Sequence, residues 1–289
     1  MQQAQSAVIE LAHSIADRLA SIAGVRAVVL GGSWANGIGD EQSDIDLGIY
    51  YDPAHPPAVD DLRALAAEID DSHSGDAVTD FGGWGPWING GAWLTIRGQR
   101  VDWIYRDLAR VQQLIEECTT GRSRIHYQPG HPHGFHTHIY LSEIALCRPL
   151  NDPYRQIAAL KALALPYPPA LRQAVISGSL WEAGFSLETC RKSAARGDAM
   201  HAAGSLFRCA ACLTQALFAL NEQYWMNEKG AVKLAGQFRL RPPDFENRIQ
   251  RVMGHAGVGG AGLTASLEMY ALLTEETRRL CRAQGFESF

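Results

Sequence analysis

Apolar positions recur with two different periods along this chain, and the change of period divides it. Between residues 5 and 23, Val8, Leu11, Ile15, Leu19 and Ile22 fall on one helical face, and Gly24 suits the stop. A short β-branched run from Val25 then ends in Gly31-Gly32-Ser33, and residues 43–51 alternate as a strand does. Residues 56–70 open with Pro56 and Pro57 and continue with a helical period. Residues 76–81 predict a strand, and 92–107 predict a hairpin turning near Arg97-Gly98-Gln99. Residues 107–121 predict a helix stopped by Gly121. The stretch 121–153 is rich in His, Pro and Gly, and His138–Leu146 is its one predicted ordered element. From about residue 156 the helical period is nearly continuous and includes residues 227–238. The expected fold class is α+β: a domain at 1–120 with a small mixed sheet and helices, a connector at 121–155, and a helical bundle at 156–289.

Composition narrows the function classes. At roughly 150 residues per domain, 289 residues suit two domains. With 46% hydrophobic and 20% charged residues the chain can bury ordinary cores. Lys+Arg is 26 against Asp+Glu 31, a net charge of −5, which weighs against a nucleic-acid partner. No apolar run approaches the ~18 residues of a membrane span, so no membrane partner is expected. Residues 1–19 carry charges at helical spacing, so no secretory leader is expected. The six scattered cysteines fit a reduced, cytoplasmic setting. Cys209 and Cys212 form a C-x-x-C pair inside an apolar helical run and read as core thiols in preference to a redox or zinc pair. His126, His131, His133, His136 and His138 are broken up by Pro132 and Gly134 and read as a solvated or substrate-rim loop in preference to a zinc site.

One segment carries chemistry. A strand runs into Gly31-Gly32-Ser33, and eleven residues after Ser33 come Asp44 and Asp46 at the start of the next strand. Residues i and i+2 of a strand share a face, about 7 Å apart, so these two carboxylates stand together. Side by side they resist ionising together unless a cation joins them. Mg2+ takes carboxylates plus phosphate oxygens, and a two-metal site suits bridging acids. The glycine turn has no bulky side chains, exposes backbone N–H groups and offers one hydroxyl, as a phosphate cradle does. Asp102 lies in the alternating run RVDWIY, opposite in face to Val101, Trp103 and Tyr105, and an acid there faces a site.

Strand, Gly-Gly-Ser, Asp-x-Asp and a later strand-borne Asp together resemble the signature of the DNA polymerase β-like nucleotidyltransferase superfamily. Gly32, Ser33, Asp44, Asp46 and Asp102 match it residue by residue. The helical second half resembles antibiotic adenylyltransferases of the aminoglycoside and lincosamide type. The resemblance implies that Asp44, Asp46 and Asp102 hold Mg2+ and that Gly31, Gly32 and Ser33 hold the phosphates of ATP or another nucleoside triphosphate. A hydroxyl of a small-molecule acceptor would receive the nucleoside monophosphate. Trp34-Ala35-Asn36 departs from the pattern, since many members carry a basic residue there. In the antibiotic enzymes a late helical lysine reaches the triphosphate, which implies Lys233 or its expected helical neighbour Lys229. Glu143, a carboxylate in an apolar helix, is a further candidate base. Trp84 and Trp87, in a glycine-rich stretch, suit stacking on a ring or core packing. Arg196 and His201 have the Arg-x4-His spacing of a helical ribonuclease motif, but their setting reads as a helix junction. Rival readings are a toxin-type enzyme that modifies tRNA or protein, and a non-catalytic nucleotide-binding protein. Monomer and homodimer both fit.

Overall fold

A computed structural model describes all residues except Met1, Ile38, Glu41, 256–260 and Ser288. The chain divides into two compact units. The first comprises Met1–Glu117, Ile125–Gly130 and Gly134–Pro166; the second comprises Cys118–Arg124, His131–His133 and Tyr167–Phe289.

In the first unit α1 (Gln2–Ala20) leads into β1 (Val25–Leu30), then the four-residue α2 (Gly32–Ala35) and β2 (Ile45–Tyr51). Next come α3 (Val59–Ile69), β3 (Gly91–Ile96), β4 (Gln99–Asp107) and α4 (Leu108–Thr119). Short β5 (Ile125–His126) and β6 (Phe135–His136) pair with each other, followed by α5 (His138–Leu146), β7 (Arg148–Asn151) and α6 (Gln156–Ala164). The main sheet has the order β3-β4-β2-β1-β7, with β2 and β4 parallel and every other pair antiparallel.

One face of this sheet makes the core. Leu30, Ile45, Leu47, Val101, Trp103 and Tyr105 are fully buried, together with Ala16 and Leu19 of α1 and Leu62 of α3. Asp60 and Asp61 in the first turn of α3 favour the helix dipole. The hairpin turn is Arg97-Gly98, both with positive φ, and their N–H groups donate to Asp71 at 2.8 and 2.7 Å.

Two expectations change. Residues 76–81 form no strand, because only Thr79 comes into register, exchanging bonds with Gly91. The connector supplies β7, the edge strand beside β1. Pro149 hides that strand in the sequence, and an edge position tolerates a proline.

The second unit is helical: α7 (Pro169–Ala195), α8 (Ala199–Leu220), α9 (Ala231–Ala235), α10 (Phe245–His255) and α11 (Ala261–Ala283). The short Arg196-Gly197-Asp198 link folds α7 and α8 into a hairpin. Asp198 caps α8 by accepting the His201 N–H at 3.1 Å. His201 Nδ1 lies 2.7 Å from Ser193 Oγ, so the Arg-x4-His spacing belongs to a helix junction. All six cysteines are free and buried. Among the described residues α8 alone is long and apolar enough to cross a membrane, and it is mostly buried, as a core helix is.

Candidate functional site

The parallel pairing of β2 with β4 builds the site. Ile45 pairs with Val101, Asp46 with Asp102 and Leu47 with Trp103. Ile45, Leu47, Val101 and Trp103 point into the core, so the intervening Asp46 and Asp102 share the opposite face as lateral neighbours. Asp44, one alternation earlier, sits beside the start of β4. Arg100 Nε approaches its Oδ1 to 2.5 Å, and Arg100 Nη2 donates to the Gln42 carbonyl at 2.5 Å. Gln99 Nε2 donates to the Ser43 carbonyl at 2.8 Å, so two residues of β4 fix the approach to β2.

The glycine turn lies against Asp46. The Gly31 N–H donates to the Asp46 carbonyl at 2.8 Å. Gly32 adopts φ +60, and a Cβ there would lie 1.8 Å from Asp46 Oδ2. Glycine is therefore required twice at residue 32, for its backbone conformation and for the space the carboxylate occupies. Ser33 follows in the first turn of α2, where helical N–H groups lack intrahelical acceptors. Trp34, at the departure from the family pattern, is 4% exposed and donates through Nε1 to the Ser43 carbonyl at 3.3 Å. It anchors the loop ahead of Asp44 and contributes no charge. The nearby positive charge comes from Arg100, which the sequence reading missed. Its position two residues before Asp102, on the same face of one strand, was the available signal.

By donor chemistry these side chains suit a hard divalent cation. Asp46 and Asp102 are register partners, Asp44 stands one alternation away and pairs with Arg100, and all three acids are oxygen donors. The absence of a Cβ at residue 32 lets the backbone of the turn stand close to the Asp46 carboxylate.

Across the sheet, Trp93 of β3 pairs with Asp102 and is 66% exposed. Its ring stacks on Trp84 at 4.5 Å between centroids, 19° from parallel. Trp87 instead stacks on His126 and Phe135 under the Arg110 guanidinium. Reading across the sheet, Trp93, Asp102, Asp46 and the glycine turn stand in that order. At about 4.8 Å per strand the row spans roughly 14 Å.

Glu143 does not join the acids. It forms a bidentate pair with Arg106, at 2.7 Å to Nε and 2.5 Å to Nη2. Arg106 lies four residues beyond Asp102, roughly 13 Å along β4. Arg106 is 4% exposed and also donates to the Ile88 and Tyr105 carbonyls. Burial and then the Glu143 charge push the Tyr50 phenol well above its ordinary pKa. Lys229 and Lys233 lie in the second unit. Gly230 takes φ +71 as the N-cap of α9, so Lys229 precedes the helix and the expected helical pairing of the two lysines does not form. His133, His136 and His138 are 1%, 6% and 2% exposed, so the expected solvated loop is a buried one. A cavity of about 340 Å³ bordered by Arg26, Asp52, His55 and Tyr154 lies at the opposite end of β2 from Asp44 and Asp46.

Residues 13–79 match the family model described as the nucleotidyltransferase domain. The match covers 67 of the 289 residues. The matched segment holds the glycine turn, Asp44 and Asp46, and the sheet adds Asp102 to them from β4. No curated protein matches the chain. A nucleotidyltransferase-like protein from Exiguobacterium sibiricum 255-15 is similar in structure with a TM-score of 0.45 and 10% identity, over 96% of this chain and 75% of that one.

Proposed function

We propose that this chain transfers a nucleoside monophosphate, from ATP in preference to other nucleoside triphosphates, to a hydroxyl of a small-molecule acceptor. The observation that carries the reading is the pairing of Asp46 with Asp102 across parallel strands, with Asp44 and Gly32 beside them. Asp44, Asp46 and Asp102 would hold Mg2+, which when bound neutralises phosphate charge. Gly31, Gly32 and Ser33 hold the phosphates through backbone N–H groups and one hydroxyl. Arg100 exchanges Asp44 for a phosphate oxygen and supplies the charge absent at Trp34-Ala35-Asn36. Asp102 receives the acceptor proton as the hydroxyl attacks the α-phosphorus and pyrophosphate leaves. Catalysis is mainly positioning and charge neutralisation.

The order across the sheet supports one side for the acceptor. With phosphates on the glycine turn, the acceptor approaches Asp102 from Trp93, whose exposed indole offers a flat wall to a ring. Antibiotics of the aminoglycoside and lincosamide type belong in the acceptor panel. Glu143 acts by holding Arg106. Six buried free cysteines support a cytoplasmic setting.

The test is Mg2+-dependent pyrophosphate release over panels of triphosphates and hydroxylated acceptors, comparing native protein with Asp102→Asn. The proposal expects acceptor-dependent release that falls at least about 100-fold in the variant. Triphosphate binding without turnover on any acceptor would favour a non-catalytic nucleotide-binding protein. Turnover with tRNA or protein only would overturn the small-molecule acceptor.

A further inference from the structure

We infer that His133, Glu182 and Cys212 form a second metal site, inside the helical unit, for a borderline-soft divalent ion such as Zn2+. The three residues come from separate stretches of chain: His133 from the short 131–133 segment, Glu182 from the middle of α7, Cys212 from α8. One ligand atom from each lies within 4.8 Å of the others. Cys212 Sγ stands 3.7 Å from His133 Nε2. A tetrahedral Zn2+ with bonds of about 2.3 Å to sulfur and 2.0 Å to nitrogen sets those two ligands roughly 3.5 Å apart. The pair is therefore already near the spacing that shared coordination requires.

The surroundings hold the ligands in place. His133 and Cys212 are each 1% exposed. The His133 N–H donates to Glu228 Oε1 at 2.7 Å, which fixes the segment that delivers the imidazole. Arg208, one helical turn before Cys212, donates through both Nε and Nη2 to Glu182 Oε1. That grip orients the carboxylate. Cys209, the other thiol of the C-x-x-C pair, lies 4.0 Å from Thr274 Oγ1 and takes no part. The C-x-x-C pair and the histidine-rich segment thus each contribute one ligand to a site that neither forms alone.

Donor chemistry separates this site from the acids of the first unit. A thiolate, an imidazole and a carboxylate select Zn2+ over Mg2+, whereas three carboxylates select the hard ion. On binding, the Cys212 S–H proton passes to solvent, and thiolate plus carboxylate balance the two positive charges with no change of oxidation state. Three protein ligands leave a fourth position for water. The ion would clamp residues 131–133 onto the α7–α8 hairpin.

Co2+ titration of the metal-free full-length protein tests this directly. One equivalent should produce a near-ultraviolet sulfur-to-cobalt absorption with tetrahedral visible bands, and Zn2+ should abolish both. Cys212→Ser should lose the sulfur band and weaken Zn2+ binding by at least about 100-fold, more than loss of an outer partner costs. Glu182→Gln should weaken binding and keep the band. Asp44→Asn with Asp46→Asn should leave it unchanged. Absence of the sulfur band in the native protein overturns the site, whether or not the variants fold. A band that persists in Cys212→Ser, or vanishes in the double aspartate variant, also overturns it.

Discussion

Replacing Gly32 by Ala perturbs the site at its most crowded point. The added Cβ would sit 1.8 Å from Asp46 Oδ2 and 2.8 Å from its Cγ, where ordinary contact begins near 3.4 Å. The carboxylate or the turn must therefore move by roughly 1.5 Å. Holding alanine at φ +60 adds about 1–2 kcal/mol of backbone strain. A misplacement of about 1 Å costs on the order of 100-fold in rate, which is about 2.7 kcal/mol of lost transition-state stabilisation. Gly31→Ala supplies the control, because a Cβ at residue 31 meets Asp46 Cβ at an ordinary 3.6 Å and φ is −109. Pyrophosphate release and thermal unfolding should be measured on both variants. Gly32→Ala is expected to lose at least 100-fold in kcat/KM while Tm falls by only a few degrees; Gly31→Ala should lose less than about tenfold. Activity within threefold of native in Gly32→Ala, or equal losses in the two variants, would refute the argument that the turn sets the position of Asp46.

Glu143→Ala leaves the Arg106 guanidinium buried without its carboxylate, which costs about 3–5 kcal/mol and lowers Tm by roughly 10 °C. Glu143→Gln should keep kcat within about tenfold at 20 °C, and a loss near 1000-fold at unchanged Tm would make Glu143 a base. Trp93→Ala should raise the acceptor KM severalfold and leave the triphosphate KM within about twofold; the reverse pattern would move the acceptor to another side. Burial raises the Asp70 pKa, but bonds from the Ser72 hydroxyl and the Thr95 and Ser72 N–H groups outweigh it and leave it below its ordinary value. A lowered folded-state pKa stabilises above the unfolded value and loses that stability as pH falls through the folded one. The Tm gap between native protein and Asp70→Asn should therefore be full at pH 6 and close below about pH 4, and a gap independent of pH would contradict this.

Period and punctuation made most of the first unit legible. The β-branched run into Gly31-Gly32, the alternation around Asp46 and the alternation around Asp102 each fix a strand and its exposed face. That β2 and β4 are adjacent and in register is long-range information, and no local pattern carries it. Three pieces were hidden for identifiable reasons. Pro149 disguised β7 as a connector although its edge position needs no donor there. Gly230 in a left-handed conformation cut α9 to five residues inside an otherwise helical period. Arg106 buries the charge of Glu143 at a distance of 37 residues, so an acid in an apolar helix resembled a base when it was half of an ion pair. The histidine-rich stretch misled in the other direction: Pro132 and Gly134 suggested an exposed loop, yet His133 packs beside Cys212.

Calorimetric binding of a non-hydrolysable nucleoside triphosphate, with and without Mn2+ in place of Mg2+, examines the convergence of the three acids most directly. The native protein should bind it at least about tenfold more tightly with the cation present, and Asp46→Asn and Asp102→Asn should each remove that cation dependence while melting normally. Cation-independent binding of equal strength in all three proteins would contradict a shared metal site at Asp44, Asp46 and Asp102.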